Sequence, residues 1–267
     1  MPSADLGLVE AVVLGILQGL TEFLPVSSSG HVALGALLFD LRDAPLALEV
    51  VLHLGTLAAT LMVFGRDVVR LAGAALKALR DREARQSEDA RMALAVVVGT
   101  VPTVVIGLGL KDAVEDWKHL PAVVGVCLLI SAAACLATRI RSGEESVPTL
   151  RQALLIGVAQ GLAVLPGVSR SGSTIATAML LGLRGEASFR FSFLLSLPAI
   201  AGASLLVLGE DGALDRLPPT VWAGGVVSLV VGLGALWALR GIVLTGRFWI
   251  FALYLVPLGL VAIALGA

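Results

Sequence analysis

Two short runs concentrate the residue types that do chemistry. Gln18, Glu22, Ser27, Ser28, Ser29, Gly30 and His31 fall within 14 positions, and Ser169, Arg170, Ser171, Gly172, Ser173 and Thr174 are consecutive. Arg170 offers a planar fork that matches phosphate oxygens two at a time, and the hydroxyls around it add hydrogen-bond donors. Gln18 and Glu22 are four apart and share one helix face. A carboxylate beside a bound anion is repulsive unless a divalent cation, Mg²⁺ or Ca²⁺, takes its oxygens and bridges to the anion. Glu22 has a second use, orienting or charging His31. His31 lies four residues after Ser27, so it is expected to face that hydroxyl as general base, proton donor or nucleophile. Structural alternatives stand beside these readings: Arg170 paired with a helix C-terminus or with Glu22 to lock the fold, and Glu22 capping a helix near an interface. Glu49 and His53 repeat the four-residue spacing inside an apolar span, which fits either support of the site or structural pairing.

Both runs interrupt apolar stretches. Residues 8–39 break at Pro25-Val26-Ser27-Ser28-Ser29-Gly30, and residues 152–183 break at Pro166-Gly167-Val168-Ser169-Arg170-Ser171-Gly172. Each break leaves one arm of about four turns and one of two to three, the second too short to cross a bilayer. A re-entrant helical hairpin accommodates each. The second arms begin around Gly30-His31 and Ser173-Thr174, so two helix N-termini converge, and their unpaired N–H groups and positive dipole ends favour an anion. Phosphate makes the fullest use of such a site.

The rest of the chain supplies the frame. Of 267 residues, 57% are hydrophobic and 15% charged, against about a quarter charged in a soluble domain. That excludes a soluble globular enzyme. A net charge of −1 leaves no basic field for nucleic acid. Cys127 and Cys135 share one apolar segment and support neither a disulfide framework nor a metal site. Six further segments are predicted to span: 45–64, 92–110, 121–138, 191–208, 220–239 and 248–265. The N-terminus does not read as a cleavable signal, since Glu10, Gln18 and Glu22 interrupt its apolar stretch.

A shift of 142 residues aligns 10–31 with 152–173 without a gap, giving nine identities in 22 positions, among them Gln18-Gly19-Leu20 with Gln160-Gly161-Leu162 and Val26-Ser27 with Val168-Ser169. The expected architecture is therefore all-α and polytopic, one membrane domain built as an inverted repeat. Each half, about 1–140 and about 150–267, is a re-entrant hairpin plus three transmembrane helices. Lys and Arg number 14 in loops 65–91, 139–151, 184–190 and 240–247, against four on the opposite side at Arg42, Lys111, Lys118 and Arg216. The positive-inside bias puts the first group in the cytoplasm, and the two hairpin tips then meet near the midplane.

At these residues the sequence resembles a known family. Gln18 through His31 and Pro166 through Thr174 are similar to the two signature motifs of bacterial undecaprenyl-diphosphatase, the bacitracin-resistance family. The resemblance continues through Glu49–Thr56 and Phe191–Pro198. It implies hydrolysis of undecaprenyl diphosphate to the monophosphate and inorganic phosphate, recycling the lipid carrier for peptidoglycan, with a divalent-metal requirement. It also implies a multi-pass protein of the bacterial inner membrane whose active site opens to the periplasm. The implied partners are the lipid substrate, membrane lipids and bacitracin as a competitor for the substrate, while a homodimer is left open. By position, the acidic pair falls on Gln18 and Glu22, the hydroxyl and imidazole on Ser27 and His31, the phosphate-binding arginine on Arg170, and flanking hydroxyls on Ser169 and Thr174. Two departures stand out: Gln18 where Glu is frequent, and Tyr254-Leu255 where many members have Tyr-Arg.

Another phosphatase pattern fails on spacing. A phosphatidic-acid-type phosphatase needs His six residues after its Ser-Arg, where Ala176 stands. The rival class is a transporter or flippase of a prenyl phosphate lipid, because inverted repeats with broken midplane helices are a transporter architecture. Ser27, His31 and an activated water all remain candidate nucleophiles.

Overall fold

The structure is a computed structural model that describes residues 7–32, 46–140, 143–209 and 218–266. The expected second arm beyond residue 32, together with Arg42, Arg141 and Arg216, lies outside the described residues. Among those described the chain is helical, apart from short turns and one isolated bridge between Glu145 and Leu183. The helices are α1 (Leu8–Phe23), α2 (described over 28–32), α3 (Leu46–Arg80), α4 (Glu88–Gly109), α5 (Lys111–Trp117) and α6 (Pro121–Ala137), followed by α7 (Leu150–Leu162), α8 (Arg170–Leu180), α9 (Gly185–Leu208), α10 (Thr220–Leu244) and α11 (Ala252–Gly266).

Both expected breaks are present, and each has a local cause. Pro25 disfavours a helical residue before it, and Leu24 is extended at φ −66°, ψ 145°. The second break runs from Ala163 to Ser169 and turns at Gly167, whose φ of +96° suits glycine. A Cβ there would sit 2.4 Å from the Val124 carbonyl oxygen, so α6 closes off any larger residue. Ser169 then caps α8, its Oγ accepting from the Gly172 N–H at 3.1 Å.

Among the described residues, five helical segments are long and apolar enough to cross a membrane: α3, α4, α9, α10 and Phe248–Gly266. Helix α6, at 17 residues, stands at the short end of the spanning range, and the chain bends by 112° between α5 and α6. One expectation is corrected. Helix α3 does not end near residue 64; it continues to Arg80, so Arg66, Arg70, Lys77 and Arg80 lie on a helical extension. Nothing from Gly65 to Arg80 breaks a helix as proline would, and polarity alone does not end one.

Backbone-close contacts hold the long hairpin arms. Helix α1 packs on α10, where a Cβ on Gly15 would lie 2.4 Å from the Gly224 oxygen, and α7 packs on α4, where a Cβ on Gly157 would lie 2.1 Å from the Gly99 oxygen. Beneath the tips, Phe23, Phe64, Phe189 and Phe193 form an aromatic knot joining α1, α3 and α9, with centroid separations of 4.8–5.8 Å. Cys127 and Cys135 are buried free thiols packed within α6.

Candidate active site

The two tips touch. A Cβ on Gly172 would meet the Pro25 Cβ at 3.1 Å, and Arg170 reaches across from the start of α8 to ion-pair with Glu22 at the end of α1. Glu22 is buried and is also approached by three donors: Gln18 Nε2 at 3.1 Å, Ser28 Oγ at 2.8 Å and His53 Nε2 at 3.4 Å. The structural alternative for Arg170, pairing with Glu22, is thus present. Glu22 does not exhaust the guanidinium, because Nη1 is buried without a hydrogen-bond partner among the described residues. An orphaned charged donor of this kind marks a place for an anion or a water. Phe193 lies beneath the guanidinium, 6.0 Å from its carbon.

Above this pair lies a cavity of about 190 Å³, lined by Thr21, Glu22, Ser27, Ser28, Ser29, His53, Ser169 and Arg170 with a few apolar neighbours. Ser27 is the only non-glycine residue with positive φ among those described, at +69°. Serine adopts that backbone at a cost of order 1 kcal/mol or more, and strain of this sort gathers at functional turns. A second cavity of about 310 Å³ adjoins the first. Its wall is in large part α9 at Ala199, Ile200, Ala203 and Val207, with Glu49, Thr103, Gln160, Ser196 and Ser204 as polar members. Glu22, His53 and Arg170 line both chambers.

Residues 11–261 match the family described as bacitracin resistance protein BacA. The chain belongs to the BacA family. An undecaprenyl-diphosphatase of Desulfosudis oleivorans is 45% identical over 269 residues, covering 97% of this chain and 98% of the relative. Those of Nocardioides sp. and Korarchaeum cryptofilum are 40% and 39% identical, each alignment covering 97% of this chain and 96% and 99% of the relative respectively. With its apolar helices, this BacA chain is an all-α multi-pass membrane protein.

Within the BacA site the remaining expected residues divide. His31 does not line either chamber. Its Nδ1 faces the Ser27 carbonyl oxygen at 2.9 Å, not the hydroxyl, and its Nε2 meets Tyr254 Oη of α11 at 2.6 Å. Ser171 turns to Ser169 Oγ at 3.3 Å, and Thr174 turns to Ser192 of α9 at 2.5 Å, so both are buried in packing. Gly30 lies within α2, and Gly172 and Ser173 within the first turn of α8; none of the three is among the cavity linings.

Gln18 is buried behind Glu22 and directs its Nε2 onto that carboxylate. No group of three or more His, Cys, Asp or Glu among the described residues is placed to hold a metal ion. The donor set, one carboxylate already engaged by an arginine, does not fit a resident divalent centre. Two residues the motifs did not single out belong to the neighbourhood: His53, flagged only as a spaced pair with Glu49, and Tyr254, the chain's single tyrosine. The sequence signals for them were the four-residue spacing from Glu49 and the resemblance over Glu49–Thr56 for His53, and the Tyr254-Leu255 departure for Tyr254.

Proposed function

We propose that the protein hydrolyses undecaprenyl diphosphate to undecaprenyl phosphate and inorganic phosphate. The names of its relatives support the substrate. The observation that carries the chemistry is the Arg170–Glu22 bridge between two helix-opening tips, beside a hydroxyl-lined cavity with one guanidinium nitrogen unpartnered. Arg170 Nη1, the main-chain N–H groups that open α2 and the Ser29 hydroxyl receive the terminal phosphate. Fixed donors of this kind are where most of the rate gain in phosphoryl transfer arises.

Ser27 is the nucleophile in this reading, since it lines the cavity while His31 does not and is turned to Tyr254. The Oγ–phosphorus bond forms as the bond from phosphorus to the bridging oxygen breaks. Undecaprenyl phosphate leaves with that electron pair, and the hydroxyl proton passes to a phosphate oxygen. Water then attacks the phosphoserine, releasing inorganic phosphate and restoring Ser27. Glu22 holds Arg170 in place, with Gln18 and Ser28 holding Glu22. A divalent cation enters as counter-ion of the diphosphate, and the serine chemistry above does not depend on its position.

The same reading places the protein in the bacterial plasma membrane with the basic end of α3 and Arg240 of α10 in the cytoplasm. Arg139 over Trp249 at 4.5 Å and Arg240 over Trp237 at 5.8 Å provide cation–aromatic anchors at that end. Glu49 near the start of α3 and Val207 near the end of α9 line the second chamber at the opposite end, which supports opening toward the periplasm. The exchanged packing of α1 on α10 and α7 on α4 supports the inverted repeat. Bacitracin, a competitor for the lipid diphosphate, is countered by faster substrate turnover. Phosphate release from purified protein in detergent tests the proposal: a phosphatase releases it with no second compartment, and a flippase releases none.

A further inference from the structure

The two chambers differ in character, and the substrate does too. A prenyl diphosphate presents, in order, a terminal phosphate, a bridging oxygen, a lipid-bound phosphate and an apolar chain. If the terminal phosphate occupies the hydroxyl-lined chamber and the chain leaves along the apolar α9 wall, the lipid-bound phosphate stands at the junction. The polar side chains common to both chambers are Glu22, His53 and Arg170. Glu22 repels a phosphate. Arg170 is divided between Glu22 and the terminal phosphate. His53 is the donor that remains.

Its geometry suits that task. His53 Nδ1 faces the Glu49 main-chain oxygen at 2.8 Å, and Nε2 faces Glu22 Oε2 at 3.4 Å. Both partners only accept, so the arrangement asks each ring nitrogen to be an N–H donor. The main-chain contact is local to α3 and holds the ring in one orientation, while the longer Nε2 contact leaves that donor able to turn to a better acceptor. The side chain is 32% exposed, against 7% for Glu22, so it is reachable from the chambers. The charged groups around it are Glu22, Arg170 and Glu49, the last an exposed carboxylate on the wall of the second chamber.

We propose that His53 is the binding residue for the lipid-bound phosphate of a prenyl diphosphate, set at the junction of the two chambers, and that it thereby selects diphosphates over monophosphates. This rests on the hydrolase reading above. A diphosphate spans Arg170 and His53 together, whereas the product, with one phosphate, engages only one of them and is released.

The experiment uses full-length protein in detergent, comparing wild type with His53→Leu and His53→Gln. Steady-state hydrolysis of a prenyl diphosphate is measured alongside inhibition by inorganic orthophosphate, which probes the terminal-phosphate site alone. The expected result for His53→Leu is a ~10- to 100-fold rise in KM for the diphosphate, the loss of one charge-assisted hydrogen bond, with the orthophosphate inhibition constant unchanged within about threefold. His53→Gln keeps a neutral donor and recovers part of the loss. If His53 only props Glu22, the KM and the orthophosphate constant shift together in both variants, and the proposal is overturned. It is equally overturned if neither moves. Absence of phosphate release from the wild type would instead remove the hydrolase reading itself.

Discussion

The two hairpin tips carry the same short motif and put it to different uses. Ser27 and Ser169 are aligned by the 142-residue shift, and each lies two residues before another serine that its hydroxyl approaches, at 3.4 Å and 3.3 Å. Ser169 has φ −79° and spends its oxygen on the cap of α8, with its own N–H donating to Ser131 Oγ at 2.9 Å. Ser27 has φ +69° and lines the same cavity as Ser169. The second tip thus has its serine hydroxyls bonded inward and adds one cation, Arg170, while the first presents hydroxyls and a carboxylate. In the proposed reaction the repeat provides a matched pair of helix openings, and the strained one carries the nucleophile.

That contrast is sharpest in paired substitutions. Ser27→Ala is expected to lower the rate of phosphate release by ~10³-fold or more, as loss of an attacking hydroxyl does. Ser169→Ala should keep activity within about tenfold while costing about 1 kcal/mol of stability through the lost cap, read by thermal unfolding in detergent. Equal losses in the two variants would break the comparison. Arg170→Lys is expected to lower kcat/KM by ~10²-fold, because an ammonium cannot serve Glu22 and a phosphate with separate nitrogens of one fork.

Smaller effects follow. Chelation should suppress turnover by ~10- to 100-fold, with added Mg²⁺ restoring it and the half-maximal concentration shifting with substrate, as for a cation carried by phosphates. A half-maximal concentration independent of substrate would point to a resident metal. Tyr254→Phe should change kcat by no more than about fivefold, since it removes one hydrogen bond to a histidine outside the cavity. A loss near that of Ser27→Ala would return His31 to the reaction.

Much of this was legible before any coordinates. The breaks at Pro25 and Gly167, the convergence of Glu22 with Arg170, and the hydroxyl-rich setting all follow from local backbone chemistry and the expense of burying charge. What escaped the sequence depends on long-range packing. The four-residue spacing of Ser27 and His31 reported one helical turn, yet spacing cannot say whether a ring meets a hydroxyl or a carbonyl, and Tyr254, 223 residues away, decides the other nitrogen. His53 meets Glu22 only because α3 passes α1, which no periodicity records. The overrun of α3 to Arg80 shows the converse limit: charge marks where a membrane ends, and a helix need not stop there.

The glycine seam between α1 and α10 has a consequence for the order of assembly. Helix α1 is among the first segments to leave the ribosome, yet its packing partner begins at Thr220. At translation speeds of about 5–20 residues per second, the roughly 200 intervening residues occupy ~10–40 s, during which the first hairpin lacks its main packing partner. Ser27, the proposed nucleophile, is therefore synthesised early and seated late. A nascent chain released before α10 would carry Ser27, Glu22 and Arg170 without the helix that α1 packs on, so the stretch from Thr220 onward acts as the step that seats the first tip.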